Sequence, residues 1–106
     1  MIDRQKITAF VSEVARQFQP ERVVLFGSYA YGQPGADSDV DLLVIMPHEG
    51  HSAIQAAEIL KRIRAGFPMD LIVRSPQVIR QRLAMDDFFI TEILAQGQTL
   101  YEANHA

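Results

Sequence analysis

Two aspartates alternate at the head of an apolar run, in Ser38-Asp39-Val40-Asp41-Leu42-Leu43-Val44-Ile45. In an extended strand, side chains two apart share a face. Asp39 and Asp41 therefore project together, with Cα atoms about 6–7 Å apart. Adjacent carboxylates repel each other and resist ionisation together; a divalent cation between them reverses that cost. A third acid, Asp70, stands near the start of the apolar run Met69–Val73, where an unpaired carboxylate is expensive. Mg2+ takes oxygen ligands and is often held by one or two carboxylates plus the phosphates of a substrate. Two such ions about 3.5–4 Å apart can clamp the attacking and leaving oxygens of a phosphoryl-type displacement.

A phosphate cradle precedes the acids. Gly27-Ser28 closes the run Val23-Val24-Leu25-Phe26. Glycine lets the backbone turn sharply and lets a bulky anion approach. A helical turn opening at Ser28 aims free N–H groups and its dipole at that anion, and the serine hydroxyl adds a donor. No P-loop lysine follows, so this is not a Walker sequence. Three aspartates from two strands, facing a Gly-Ser loop, make a coherent triphosphate site. Each residue also has a plain structural role open to it. Asp39 can cap a turn with Ser38, Asp41 can be solvated at a sheet edge, Asp70 can lie just outside its strand, and Gly-Ser can be an ordinary turn. EF-hand spacing is absent.

The elements that must position these groups follow from the pattern. Residues 3–18 read as an amphipathic helix, with Ile7, Phe10, Val11, Val14 and Phe18 on one stripe; Asp3 caps it and Pro20 stops it. Arg22–Phe26 reads as a buried strand, Ser28–Tyr31 as a helical turn, and Ser38–Met46 as a second strand. His48-Glu49-Gly50-His51 is a polar loop; two histidines three apart without a third ligand are a poor metal site. Ser52-Ala53-Ile54-Gln55 matches a capping box, opening a helix to about Ala65 that buries Ala56, Ile59, Leu60 and Ile63 and stops at Gly66. Met69–Val73 is a third strand. Ser75-Pro76 starts a helix to about Leu83, Asp86 or Asp87 caps another to Ala95 closed by Gly97, and Gln98–Tyr101 is an edge strand. The residues after it fray. This order predicts an α/β (α+β) fold, a small mixed sheet flanked by helices, with the strands beginning at 22, 38 and 69 central.

The 106 residues suit one domain, 1–106, and 48% apolar content is that of a globular chain. There is no cysteine, which removes disulfides and thiolate chemistry and fits a reducing compartment. A charged N-terminus and the lack of a long apolar run predict a cytoplasmic protein without membrane contact. The net charge of −3 argues against direct nucleic-acid binding. The basic residues Lys61, Arg62, Arg64, Arg74, Arg80 and Arg82 read as solvated helix faces or a partner or phosphate surface.

Gly27-Ser28, ten residues, then Asp39-Val40-Asp41 resembles the signature of the DNA polymerase β-like nucleotidyltransferase superfamily. The surrounding Phe-Gly-Ser-Tyr-Ala-Tyr-Gly…Ser-Asp-Val-Asp-Leu-Leu-Val is most similar to its minimal nucleotidyltransferase (MNT) branch. The resemblance implies that Gly27 and Ser28, with Tyr29 and Ser38 beside them, hold the nucleotide. It implies that Asp39, Asp41 and Asp70 ligate two Mg2+ ions, and that Asp70 helps deprotonate the acceptor. The reaction implied is attack of a hydroxyl on the α-phosphorus of ATP or another nucleoside triphosphate. Members are often antitoxins of HEPN-type RNase toxins, and some transfer AMP to a toxin tyrosine. Two other activities stay open: a catalytically silent antitoxin, and transfer to a small molecule such as an aminoglycoside. The chain departs from the pattern at Tyr29 and Tyr31, where members often carry an arginine. Tyr31 reads as a solvated loop aromatic, Tyr29 as that or as a base-stacking group, and Arg74 or a partner residue as a substitute cation. A domain this small has little surface to grip a large acceptor, so a second chain is expected, with Phe88 or Phe89 facing it.

Overall fold

The computed structural model describes residues 2–32 and 34–104. Its strands are β1 Arg22–Phe26, β2 Val40–Ile45, β3 Met69–Arg74 and β4 Gln98–Glu102. Its helices are α1 Arg4–Phe18, α2 Ser28–Tyr31, α3 Ser52–Arg62, α4 Pro76–Ala84 and α5 Phe88–Gln96. The strands form one sheet in the order β3-β2-β1-β4. β1 runs antiparallel to both β2 and β4, whereas β2 and β3 are parallel. Parallel neighbours need a crossover connection, which α3 provides. The expected mixed sheet with flanking helices is borne out.

Strand alternation sends side chains into two cores. Val23 and Leu25 of β1, Val40, Leu42 and Val44 of β2, and Leu71 and Val73 of β3 pack on one face against Ile7, Phe10, Val11 and Val14 of α1 and Ala56 and Ile59 of α3. Val24, Phe26, Leu43 and Ile45 pack on the other face against Ile79 of α4 and Ile90 and Ile93 of α5. The second layer consists of two nine-residue helices. The three residues of parity 39, 41 and 43 in and before β2 thus share the α4–α5 face, and only the last is in its core.

Several local expectations need correction. β1 and β2 are central, but β3 is an edge, because β4 takes the other side of β1. The stop of α1 is Gln19, left-handed at φ 49°, whose N–H donates to Ala15 O at 3.1 Å; Pro20 only follows it. Ser52 forms no capping box. His51 is the N-cap and makes no side-chain cap bond, while the Ser52 hydroxyl accepts from Arg74. Helix α3 ends at Arg62, short of Gly66. Leu60 is 40% exposed, since Ala56, Ile59 and Ile63 already fill the inward stripe. Asp87, not Asp86, caps α5, accepting from Ile90 N–H at 3.0 Å. The Asp3, Ser75-Pro76 and Gly97 boundaries stand as expected. The expected frayed tail is ordered at its start, where Glu102 ends β4 and Ala103 N–H donates to Glu21 O at 2.9 Å; its last two residues lie outside the described residues. Among the described residues, no helix is long and apolar enough to cross a membrane.

Candidate active site

Pairing of β2 with β3 brings the acids together. Asp41 and Asp70 are register partners across the parallel pair, so their Cα atoms are one strand spacing apart, about 4.7–4.9 Å. Asp39 lies one residue before β2, two residues from Asp41 and of the same facing parity. Asp39 and Asp70 are exposed and Asp41 is half-buried. Burial raises the Asp41 pKa above its ordinary value, and the charges of Asp70 and then Asp39 raise it further. The three carboxylates therefore sense one another at one end of the sheet.

The Gly-Ser turn closes this end from the other side. Phe26 is the antiparallel partner of Asp41, which places the next residue, Gly27, against the Asp41 side chain. A Cβ built on Gly27 would collide with Asp41 Oδ2 and would sit 3.1 Å from Cγ. Gly27 has φ 74° and ψ −158°, a region essentially reserved for glycine. The turn it makes starts α2, whose Ala30 and Tyr31 N–H groups donate to Gly27 O at 3.0 and 3.2 Å. The earlier N–H groups of a helix have no acceptor within it. Those of α2 open beside the carboxylates.

Not every expected site residue serves there. The Tyr29 side chain is buried in the α1-side core, and its hydroxyl accepts from Ile2 N–H at 2.9 Å. Base stacking and solvation are both ruled out for it. The Ser38 hydroxyl accepts from Gly35 N–H at 2.8 Å, which shapes the loop. Arg74 cannot stand in for a triphosphate-binding arginine. It lies at the opposite end of β3, bonded to Val73 O and Ser52 Oγ, about 13 Å along the strand from Asp70 at some 3.3 Å per residue. Tyr31 is solvated as expected, at 48% exposure. Of the two phenylalanines, Phe88 is 77% exposed, and Phe89 meets Phe26 edge-on with ring centroids 5.9 Å apart. Sequence reasoning missed Phe26, which anchors α5 beside Asp41; its place in a strand ending on Gly27 was the available signal.

Among the described residues, no three His, Cys, Asp or Glu groups close around one point ready for a metal ion. The donor set still fits Mg2+. It is all carboxylate, arranged on one face, and includes an Asp41 whose raised pKa a cation would bring down.

A small mixed sheet with paired aspartates at one end and a glycine turn against them defines a nucleotidyltransferase, and the chain belongs to that family. Residues 7–94 match the nucleotidyltransferase domain model. The chain is 25% identical over 103 residues to "Putative protein adenylyltransferase MJ0604" of Methanocaldococcus jannaschii, covering 95% of this chain and 100% of the relative. The nucleotidyltransferase membership expected from the sequence is borne out. The crystal structure of a "putative nucleotidyltransferase" from Sulfolobus solfataricus superposes with TM-score 0.64 at 21% identity, covering 96% of this chain and 82% of that one. A crystal structure of a mutant MntA-HpeT toxin-antitoxin gives TM-score 0.56 at 18% identity, covering 98% of this chain and 76% of that one. Both likenesses are of fold. The family generally uses divalent metal ions.

Proposed function

We propose that the protein transfers AMP from ATP to a hydroxyl of a partner protein, and that this partner is the HEPN-type toxin it restrains as an antitoxin. The observation that carries the proposal is the pairing of Asp41 with Asp70, with Asp39 beside them and Gly27 against Asp41. A relative named for protein adenylylation and a fold neighbour from a toxin-antitoxin assembly support the acceptor class. Exposed Phe88 and Tyr31, which line a cavity of about 500 Å3 with Thr91 and Gln96, give a partner an apolar surface.

Asp39, Asp41 and Asp70 would hold Mg2+, two ions in the fullest form. Bound there, Mg2+ supplies charge stabilisation for the phosphates and the reacting oxygens. The chain's own groups do the rest. Gly27 and the first N–H groups of α2 receive the β- and γ-phosphates, with the Ser28 hydroxyl as an added donor. Asp70 accepts the proton of the acceptor hydroxyl. The acceptor oxygen bonds to the α-phosphorus, the bond from that phosphorus to the bridging oxygen breaks, and pyrophosphate leaves. Acceleration comes from preorganised charge and alignment rather than a covalent enzyme intermediate.

One observation favours a second reading, the catalytically silent antitoxin. Residues 27–41 contain no Lys or Arg, and Arg74 faces the other end of the sheet. Incubation with α-labelled ATP, Mg2+ and the product of the adjacent gene separates the two. Label on the partner with wild type, and none with Asp39→Asn/Asp41→Asn, supports transfer. No label, with equal neutralisation by both forms, sinks it in favour of binding alone.

A further inference from the structure

The far ends of β2 and β3, away from the acids, carry a second constellation that nucleotide transfer leaves unused. A cavity of about 460 Å3 opens there, lined by His48, His51, Ser52, Arg74, Ser75 and Arg82 among others, with no carboxylate in its wall. In a chain of net charge −3, this gathers two guanidinium groups and two imidazoles. Arg74 is half-buried and makes no ion pair among the described residues; its Nη1 donates to Val73 O at 2.7 Å and Ser52 Oγ at 3.3 Å. Arg82 lies 3.5 Å from Asp87 Oδ2 in a loose, exposed pair. The other oxygen of Asp87 is taken up in capping α5.

A further feature suits an anion. Helices α3 and α4 both begin in the cavity wall, at Ser52 and beside Ser75. Neither has an acidic residue in its first turn, and α3 has no side-chain cap. Their positive ends are therefore not neutralised locally.

We propose that this cavity binds a phosphate oxyanion, inorganic or as a phosphate monoester, held between Arg74 and Arg82. Guanidinium groups suit phosphate oxygens through charge-assisted, forked hydrogen bonds. The site is independent of the transfer reaction and lies at the opposite end of the same strands.

The test is an amide and imidazole NMR titration with inorganic phosphate and, separately, AMP. EDTA is present and ionic strength is balanced with chloride, so that the acid end lacks a cation and repels the ligand. Saturable shifts at Ser52–Ile54, at Gln77 and Val78, and on the His48 and His51 rings are expected. Arg74→Gln and Arg82→Gln should each weaken binding about tenfold, the loss of one charge-assisted hydrogen bond, while Arg64→Gln leaves it unchanged. Tighter binding of AMP identifies a nucleoside phosphate as the source, and equal binding identifies the free anion; either outcome bears the proposal out. Shifts that follow ionic strength alone, shifts centred on Gly27–Ala30, or an Arg74→Gln/Arg82→Gln protein with a native spectrum and wild-type affinity would each overturn it. The wild-type shift map locates or excludes the site even if a variant fails to fold.

Discussion

Replacing Gly27 by alanine perturbs the proposed site through one methyl group. The new Cβ would overlap Asp41 Oδ2 and press on Cγ at 3.1 Å. A carboxylate is free to swing, so the overlap is relieved by rotating Asp41 away from Asp70 and Asp39. The backbone cost remains: an L residue at φ 74°, ψ −158° loses about 1–3 kcal/mol. In a domain of this size each kcal/mol lowers Tm by roughly 4–8 °C, which a stable fold survives. Displacing a catalytic carboxylate by about 1 Å costs on the order of 100-fold in rate. Gly27→Ala should therefore fold, melt lower, and lose about 100-fold in AMP transfer. Gly32→Ala is the control. Gly32 also has positive φ, 79°, but no atom stands within 4 Å of its Cβ position. It should lose stability and keep transfer. Thermal melts and single-turnover labelling with α-labelled ATP measure both quantities. Wild-type transfer by folded Gly27→Ala, or equal losses in the two variants, would refute the claim that Gly27 is there for Asp41.

Three more outcomes follow from the same geometry. Asp41 has its carboxyl pKa raised by burial, Asp70 and Asp39, so the folded state binds its proton more tightly than the unfolded chain; native stability is favoured at low pH and falls as pH rises from the ordinary aspartate range through the raised value. Asp41→Asn should therefore abolish transfer yet raise Tm at neutral pH in metal-free buffer, with the gain shrinking toward acid pH in a series of melts. Tyr29→Phe removes the acceptor of Ile2 N–H, should cost about 0.5–1.5 kcal/mol in denaturant melts, and should leave the KM for ATP unchanged; a large rise in KM would return Tyr29 to the nucleotide. At Gly97 a Cβ would lie 2.7 Å from Val24 Cγ1 and 2.9 Å from Leu25 O, so Gly97→Ala should push α5 off β1 and cost about 1–3 kcal/mol by overpacking, read from the denaturation midpoint.

The parts of the fold that could be read in advance are those governed by local rules. Asp3 and Ser75 start helices by accepting a nearby backbone N–H on their side chains, and Gly97 closes one by donating its N–H to Ile93 O, all within a few residues, and period-two alternation placed Asp39 and Asp41 on one face. The pairing of Asp41 with Asp70 was foreseen as a role but not as a register, because register depends on which strand becomes the neighbour. The same limit hid the edge position of β3, which exists only because β4 takes the other side of β1. Tyr29 was misread because its partner, Ile2, is 27 residues away. Arg74 was misplaced for a simple geometric reason: being close to Asp70 in sequence puts it far away along an extended strand. Ser52 carried a valid capping-box pattern, but the Arg74 guanidinium from the neighbouring strand uses its hydroxyl.

The proposed function rests above all on the three aspartates at one end of the sheet forming a cation site. Mn2+ shares the oxygen-rich, six-coordinate preference of Mg2+ and broadens nearby NMR signals, so a substoichiometric Mn2+ titration locates the site directly. If the ion sits among the acids, the amides of Gly27, Ser28, Val40–Leu42 and Asp70–Leu71 vanish first, and Asp41→Asn removes the effect. Broadening centred on His48 and His51, or undiminished at Gly27 in Asp41→Asn, would contradict it.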